Sequence, residues 1–165
     1  MAAASCPVRI FDGALHREHL TRQFFVRFRL AVQQTAACLR RSHPEEREEA
    51  NGAQALLLLS RLLFLYFIQQ KGWLNRDRRF VIDRVELAAK SGRNAHHTVL
   101  RPLFFGCLNT AKSERDAIAI SLGDVPYLNG GLFEPSAFEL RNPASSLPNE
   151  LILSILEEVF ERFDF

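Results

Sequence analysis

The amino-acid sequence predicts a mainly α, multi-helix domain of about five helices, with a Pro/Gly-rich loop region before the last one. Three observations carry that prediction. Apolar residues recur at steps of three and four in the N-terminal quarter and again near the C-terminus. Ala53 to Gln70 is apolar around almost its whole circumference, as expected of a helix with neighbours on several sides. Between Leu122 and Leu147 stand Gly123, Pro126, Gly130, Gly131, Pro135 and Pro143, so that interval is mainly loop and turn. A chain of 165 residues, 47% hydrophobic with 14 Phe, is enough to fill one core.

In order along the chain, residues 1–13 read as a flexible lead-in, because Pro7 and Asp12-Gly13 punctuate them and no apolar period runs through them. Residues 14–165 are the domain. From Ala14 or Leu15 to Arg40, the residues Leu15, Leu20, Phe24, Phe28, Ala31, Thr35, Cys38 and Leu39 form one stripe. Arg17, Arg22, Arg27 and Arg29 fall largely off it, which makes an amphipathic helix with a basic face. Pro44 disfavours helical geometry at His43 and suits the first turn of the next helix. Glu45, Glu46, Glu48 and Glu49 then sit where the helix dipole favours negative charge. This second helix is expected to reach Gln70 and end at Gly72, and Leu63→Asp is expected to unfold the domain by burying a charge.

Asn75 to Arg79 reads as a charged turn, Phe80-Val81-Ile82 as a segment docked on the core, and Asp83 to Lys90 as a short helix. His96 to Leu108 has a helical period through Val99, Leu100, Leu103, Phe104 and Leu108, with Pro102 either kinking it or opening it. Asn149 to Arg162 is amphipathic, with Leu151, Ile152, Ile155, Leu156, Val159 and Phe160 opposite Glu157, Glu158 and Glu161. Those glutamates are expected to face solvent. The chain ends on Phe163-Asp164-Phe165, still apolar, as a fragment of a larger protein would.

The near-neutral balance of 21 basic and 19 acidic residues hides a polarised distribution. Met1 to His43 carries 7 Arg against 2 acidic residues, Lys71 to Arg101 carries 8 basic against 3 acidic, and Pro102 to Phe165 carries 4 basic against 10 acidic. A basic front of this kind suits either a solvated surface or a face turned to nucleic acid. Cys6, Cys38 and Cys107 are odd in number and far apart, which argues for reduced thiols in a cytoplasmic protein. The Leu56 to Ile68 run is interrupted by Ser60 and Arg61 and is shorter than the roughly 20 residues a bilayer requires, so it reads as a core helix and no membrane partner is expected.

Three stretches together resemble a known family. They are Leu59-Ser60-Arg61-Leu62-Leu63-Phe64-Leu65-Tyr66-Phe67 running into Lys71-Gly72-Trp73-Leu74, then Leu103-Phe104-Phe105-Gly106-Cys107-Leu108-Asn109, then Val125-Pro126-Tyr127-Leu128-Asn129-Gly130-Gly131-Leu132-Phe133-Glu134. In that order they look like the helical region preceding the catalytic domain of large prokaryotic adenine-specific DNA methyltransferases, including type IIG restriction-modification enzymes and phage-defence methylases. Leu20 to Phe28 is similar to the helix that opens this region. The resemblance implies a DNA-binding parent enzyme that uses S-adenosylmethionine to methylate adenine N6. It implies a non-catalytic part here, because the chain has no aromatic-x-Gly-x-Gly loop and no Glu-x-Lys pair. Asn142-Pro143-Ala144-Ser145 also lacks the second proline and the aromatic of the methylation motif. The implied partners are DNA and a methyltransferase domain in cis or in trans. The competing reading is a stand-alone helical interaction or adaptor module that docks through its apolar C-terminal helix.

No catalytic, cofactor-binding or metal residue is expected in the chain itself. Lys71, Arg76, Arg78, Arg79, Arg84 and Arg93 are the candidates for DNA-backbone contact, dense and close to turns, and read equally as a solvated basic loop until the family setting favours phosphate. Pro126, Tyr127, Asn129, Gly130 and Gly131 form the family-like loop, expected to order against a neighbouring domain. Its glycines suit positive φ in a tight turn, or a phosphate approached by bare amides. Trp73 reads as a cap closing the core, with stacking on a base as the alternative. His16 and His19 lack a third ligand, and His96 and His97 point different ways on a helix.

Overall fold

The computed structural model describes residues 8–163, with side chains from Glu18 onward, and among these residues the regular structure is helical without strands. Helix α1 spans Val8–Ser42, opening earlier than the apolar stripe suggests. Of the expected lead-in, residues 1–7 lie outside the described residues. Ala31, Thr35, Cys38 and Leu39 are buried as the stripe requires. Phe28 meets Phe160 edge-on at 6.5 Å and Phe24 meets Phe163 at 5.6 Å, which clamps the C-terminal helix to α1.

Helix α2, Glu48–Gln70, is the spine, packed against α1 over much of its length. It begins later than Pro44 suggested. Arg47 is the residue before its first turn, so Glu48 and Glu49 meet the helix dipole while Glu46 sits outside the helix. There Glu46 accepts hydrogen bonds from Arg141 at 2.8 and 3.0 Å and from Asn142 at 2.8 Å. At the other end Lys71 is the cap and Gly72 adopts φ 75. The Gly72 N–H donates to Gln69 O at 2.9 Å and the Trp73 N–H to Ile68 O at 3.0 Å, a Schellman motif that satisfies carbonyls the helix leaves open. By length and composition α2 could cross a bilayer, but 56% of its apolar window is buried inside the fold.

The apolar surround of α2 is not complete. Leu56 and Phe67 are 51% and 48% exposed, and Leu63 and Phe64 are half-buried on the same side, so one stripe of the spine faces outward. Ala55, Leu58, Leu59, Leu62, Leu65, Tyr66 and Ile68 are the apolar residues sealed within.

Helix α3, Phe80–Lys90, merges the docked tripeptide and the short helix into one element. Phe80, Val81, Ile82 and Val85 are buried on its inner side. Two π-helical turns follow, His96–Leu100 and Pro102–Leu108. Pro102 has no N–H to offer to the preceding turn, and the backbone bonds run five residues back, as in Arg101 N–H to His96 O. Helix α4, Ala117–Ser121, is capped by Asp116 accepting from the Ala119 N–H at 2.7 Å, and it lies on the second π-helical segment. Gly106 permits that approach: a Cβ there would stand 3.1 Å from Ala119 Cβ.

The Pro/Gly-rich interval holds a 3-10 turn, Gly131–Phe133, and helix α5, Ala137–Arg141. Helix α6, Asn149–Ile155, continues as the π-helical Leu156–Phe160. Ile152, Ile155, Leu156, Val159 and Phe160 are all buried against α3 and α1. The apolar face that an adaptor would use for docking is therefore consumed inside the domain. Glu157, Glu158 and Glu161 are exposed as expected, and Glu161 also accepts a hydrogen bond from the hydroxyl of buried Tyr66 at 2.7 Å and stands 3.6 Å from Arg79.

Candidate functional site

The polar centre of the molecule is Arg61, just past the middle of α2 and fully buried. Its fork reaches three groups of the family-like loop and the helix after it. Nε donates to Leu132 O at 2.7 Å, Nη2 to Glu134 O at 2.6 Å, and Nη1 to Glu139 Oε1 at 2.7 Å. The guanidinium carbon lies 5.3 Å from the ring centroids of both Phe104 and Phe105. Glu139 is held from its other side by the Ser136 N–H, 2.8 Å from Oε2, and Ser136 Oγ accepts from the Glu139 N–H to complete a capping box. Burial raises the Glu139 pKa, but the Arg61 and Ser136 hydrogen bonds and the Arg61 charge outweigh it, and the net shift is downward.

The Pro126 to Glu134 loop, expected to order against a neighbouring domain, already has partners within its own chain. It orders against Arg61 in its own chain. Pro126 gives its carbonyl to Arg115 Nη2 at 3.2 Å, and the Leu128 N–H donates to Leu108 O at 2.9 Å. The turn also uses a different residue from the one the glycines suggested. Asn129 holds the left-handed conformation at φ 40, whereas Gly130 is extended at φ −130 and Gly131 opens a 3-10 turn with nothing within 4 Å of its missing side chain. Tyr127 is 42% exposed.

The basic candidates separate into two groups. Arg84 stacks on Phe80, with 3.5 Å between guanidinium carbon and ring centroid, and donates to Phe80 O and Leu122 O. Arg79 donates to Asp83 at 3.0 Å and lies near Glu86 and Glu161. These two tie α3 to its neighbours. Lys71, Arg76, Arg78 and Arg93 are exposed, with Lys71 Nζ 5.5 Å from the Phe67 ring centroid. Trp73, expected to close the core, is 53% exposed; Leu74 beside it is the fully buried residue.

Among the described residues no group of three or more His, Cys, Asp or Glu side chains is placed to hold a metal ion. His19 shares a hydrogen bond with Gln23 at 2.9 Å, and the side chain of His16 lies outside the described residues. His96 is buried and His97 exposed. His96 Nδ1 accepts the Leu147 N–H at 2.9 Å, and burial, with smaller contributions from His97 and Arg101, pushes its pKa down to about 4. Asn142 caps α5 and bonds Glu46, a structural role.

The Arg61 latch is the feature that reading the sequence missed. Two signals pointed to it: a lone charge inside an otherwise apolar helix, which needs a partner, and the Ser136-x-x-Glu139 capping signature.

Comparison with known proteins adds a lineage. A curated relative from Methanocaldococcus jannaschii, provisionally named a type II restriction enzyme and methyltransferase, is 36% identical over 107 residues, covering 61% of this chain. The matched region is 8% of that relative, so the chain spans a small part of its length. No solved structure matches. The model of a family described as a domain of unknown function, DUF7814, matches residues 28–162, from the inner face of α1 to the end of the last helix, and the chain belongs to that family.

Proposed function

We propose that the chain is a non-catalytic helical part of a DNA adenine-N6 methyltransferase or restriction-modification system, bracing a methyltransferase domain and touching the DNA backbone. The observation that carries this reading is the 36% identity to a relative named as a restriction enzyme and methyltransferase, within a segment that is a small fraction of that protein. In such a system S-adenosylmethionine binds the methyltransferase domain, and this module supplies rigidity. The buried Arg61 fork suits that role because it fixes loop, π-helical segment and spine in one geometry. The outward stripe of Leu56 and Phe67 offers apolar surface for a neighbouring domain, and Lys71, Arg76, Arg78 and Arg93 offer charge to phosphates without reading bases. The setting is cytoplasmic.

The test is co-expression of the chain with an S-adenosylmethionine-binding methyltransferase domain from the same genome. The expected outcome is a complex that survives gel filtration and methylates adenine N6 in plasmid DNA, with methylation falling at least tenfold when the chain is omitted. Full methylation by the domain alone, with no complex, overturns the reading.

A further inference from the structure

We propose that the corner from Lys71 to Arg78 is a stacking site for an unpaired nucleobase, with Trp73 as the platform and Lys71, Arg76 and Arg78 engaging the flanking phosphates. This rests on the reading that the domain faces DNA and adds a specific contact to it. The first observation is the indole itself, 53% exposed immediately before a fully buried Leu74. A residue two past a helix cap commonly folds back onto the last turn. Here the backbone of that motif is formed, through Trp73 N–H to Ile68 O at 3.0 Å, while half of the residue's surface stays open to water.

The second observation is the backbone that follows. Asn75 and Arg76 both stand in the left-handed region, at φ 53 and 56, which is unfavourable for residues with a side chain. The surrounding structure enforces it. The Asn75 N–H donates to Asp124 O at 2.8 Å, the Asp124 N–H donates to Asn75 Oδ1 at 3.4 Å, and the Arg76 N–H donates to Gly72 O at 3.2 Å. Gly123, at φ 92, leaves the space that Asn75 fills, since a Cβ there would lie 3.1 Å from Asn75 Oδ1. The corner is thus rigid before any ligand arrives, which removes ordering cost from binding.

The third observation is the charge. Asp77, within the corner, lies 3.7 Å from Arg84, and Asp124 bonds Lys112 at 2.8 Å, with Arg76 exerting a weaker attraction on it. Lys71, Arg76 and Arg78 are exposed and flank Trp73 in sequence. An aromatic face with cations on both sides in sequence matches the alternation of base and phosphate in single-stranded nucleic acid.

Trp73 is the only tryptophan, so its fluorescence reports this site alone. The full chain is titrated at low salt with a dye-labelled single-stranded oligothymidylate and with a dye-labelled duplex, reading oligonucleotide anisotropy and tryptophan emission separately. The expected result is quenching by the single strand, with Trp73→Ala weakening single-strand affinity about tenfold and Trp73→Phe restoring most of it. Both variants should keep the parent melting temperature. Duplex binding with neither tryptophan quenching nor an effect of Trp73→Ala overturns the stacking site and leaves the DNA-facing reading standing. Absence of binding to either oligonucleotide overturns both. Quenching by a co-expressed methyltransferase domain and not by oligonucleotides overturns the proposal and assigns Trp73 to a protein interface.

Discussion

Arg61 and Glu139 form an ion pair of 2.7 Å in which the side chains are 0% and 6% exposed, joining the spine helix to a helix 78 residues later. Such a pair is costly to desolvate, and its value depends on every remaining donor and acceptor being matched. Here each Arg61 nitrogen and each Glu139 oxygen has a partner: two more Arg61 nitrogens reach carbonyls of Leu132 and Glu134, and the second Glu139 oxygen takes the Ser136 N–H.

Removing Arg61 therefore leaves one oxygen of the buried Glu139 carboxylate and the Leu132 and Glu134 carbonyls without their partner. Arg61→Ala is expected to lose about 3–5 kcal/mol, measured by urea denaturation. Arg61→Met with Glu139→Leu removes both charges, but it leaves the Leu132 and Glu134 carbonyls unpaired, so it should recover only part of that loss. A double variant as stable as the parent would show that the fork to the loop contributes nothing.

The pH dependence follows from His96. Its folded pKa is about 4, below the usual 6.5, because burial disfavours the imidazolium. The unfolded chain takes up the proton first, so stability is complete above about pH 6.5 and declines as pH falls toward 4, by about 3 kcal/mol in all. Glu139 acts in the same direction at more acidic pH, since its folded pKa is lowered and its contribution is lost as pH falls through that value. His96→Asn, which can still accept the Leu147 N–H, should flatten the profile between about pH 6.5 and 4.5 in a series of urea midpoints. An unchanged slope would mean that His96 is protonated in the folded chain.

The helices of the front and back of the molecule were legible because each buries one continuous stripe, and a stripe is a local pattern. Phe24, Phe28, Ala31, Thr35, Cys38 and Leu39 lie inward in α1, and Ile152 to Phe160 do so in the last helix. The latch was not legible in full, because no local rule says which of the carboxylates meets Arg61. Helix α4 was missed for a related reason: five residues held by the Asp116 cap and by the close approach at Gly106 carry no period. Trp73 went the other way. Its backbone position was readable from Gly72, but ring exposure depends on what the rest of the chain leaves uncovered.

Burial along α2 ranks its leucines. Leu65 is fully buried whereas Leu63 is half-buried at the margin of the core. Leu65→Ala should cost about 2–5 kcal/mol, and Leu63→Ala clearly less, by urea denaturation. The sequence alone singled out Leu63→Asp as the unfolding change. The structure moves that role to Leu65→Asp, where no water can reach the carboxylate. Equal losses at the two positions would mean that the outward stripe of α2 is covered in solution.

Arg84 separates structural charge from the charge proposed to face DNA. Its guanidinium stacks on buried Phe80, donates to the Leu122 carbonyl and lies near Asp77, so it links α3 to the loop after α4. Arg84→Ala should lower stability by about 1–2 kcal/mol while leaving the salt dependence of duplex binding unchanged. Combined replacement of Arg76, Arg78 and Arg93 should do the reverse. The melting temperature would hold, and the slope of log affinity against log salt would become shallower by roughly 0.9 for each phosphate no longer neutralised. A shallower slope for Arg84→Ala at unchanged stability would place that guanidinium on DNA and not on Phe80.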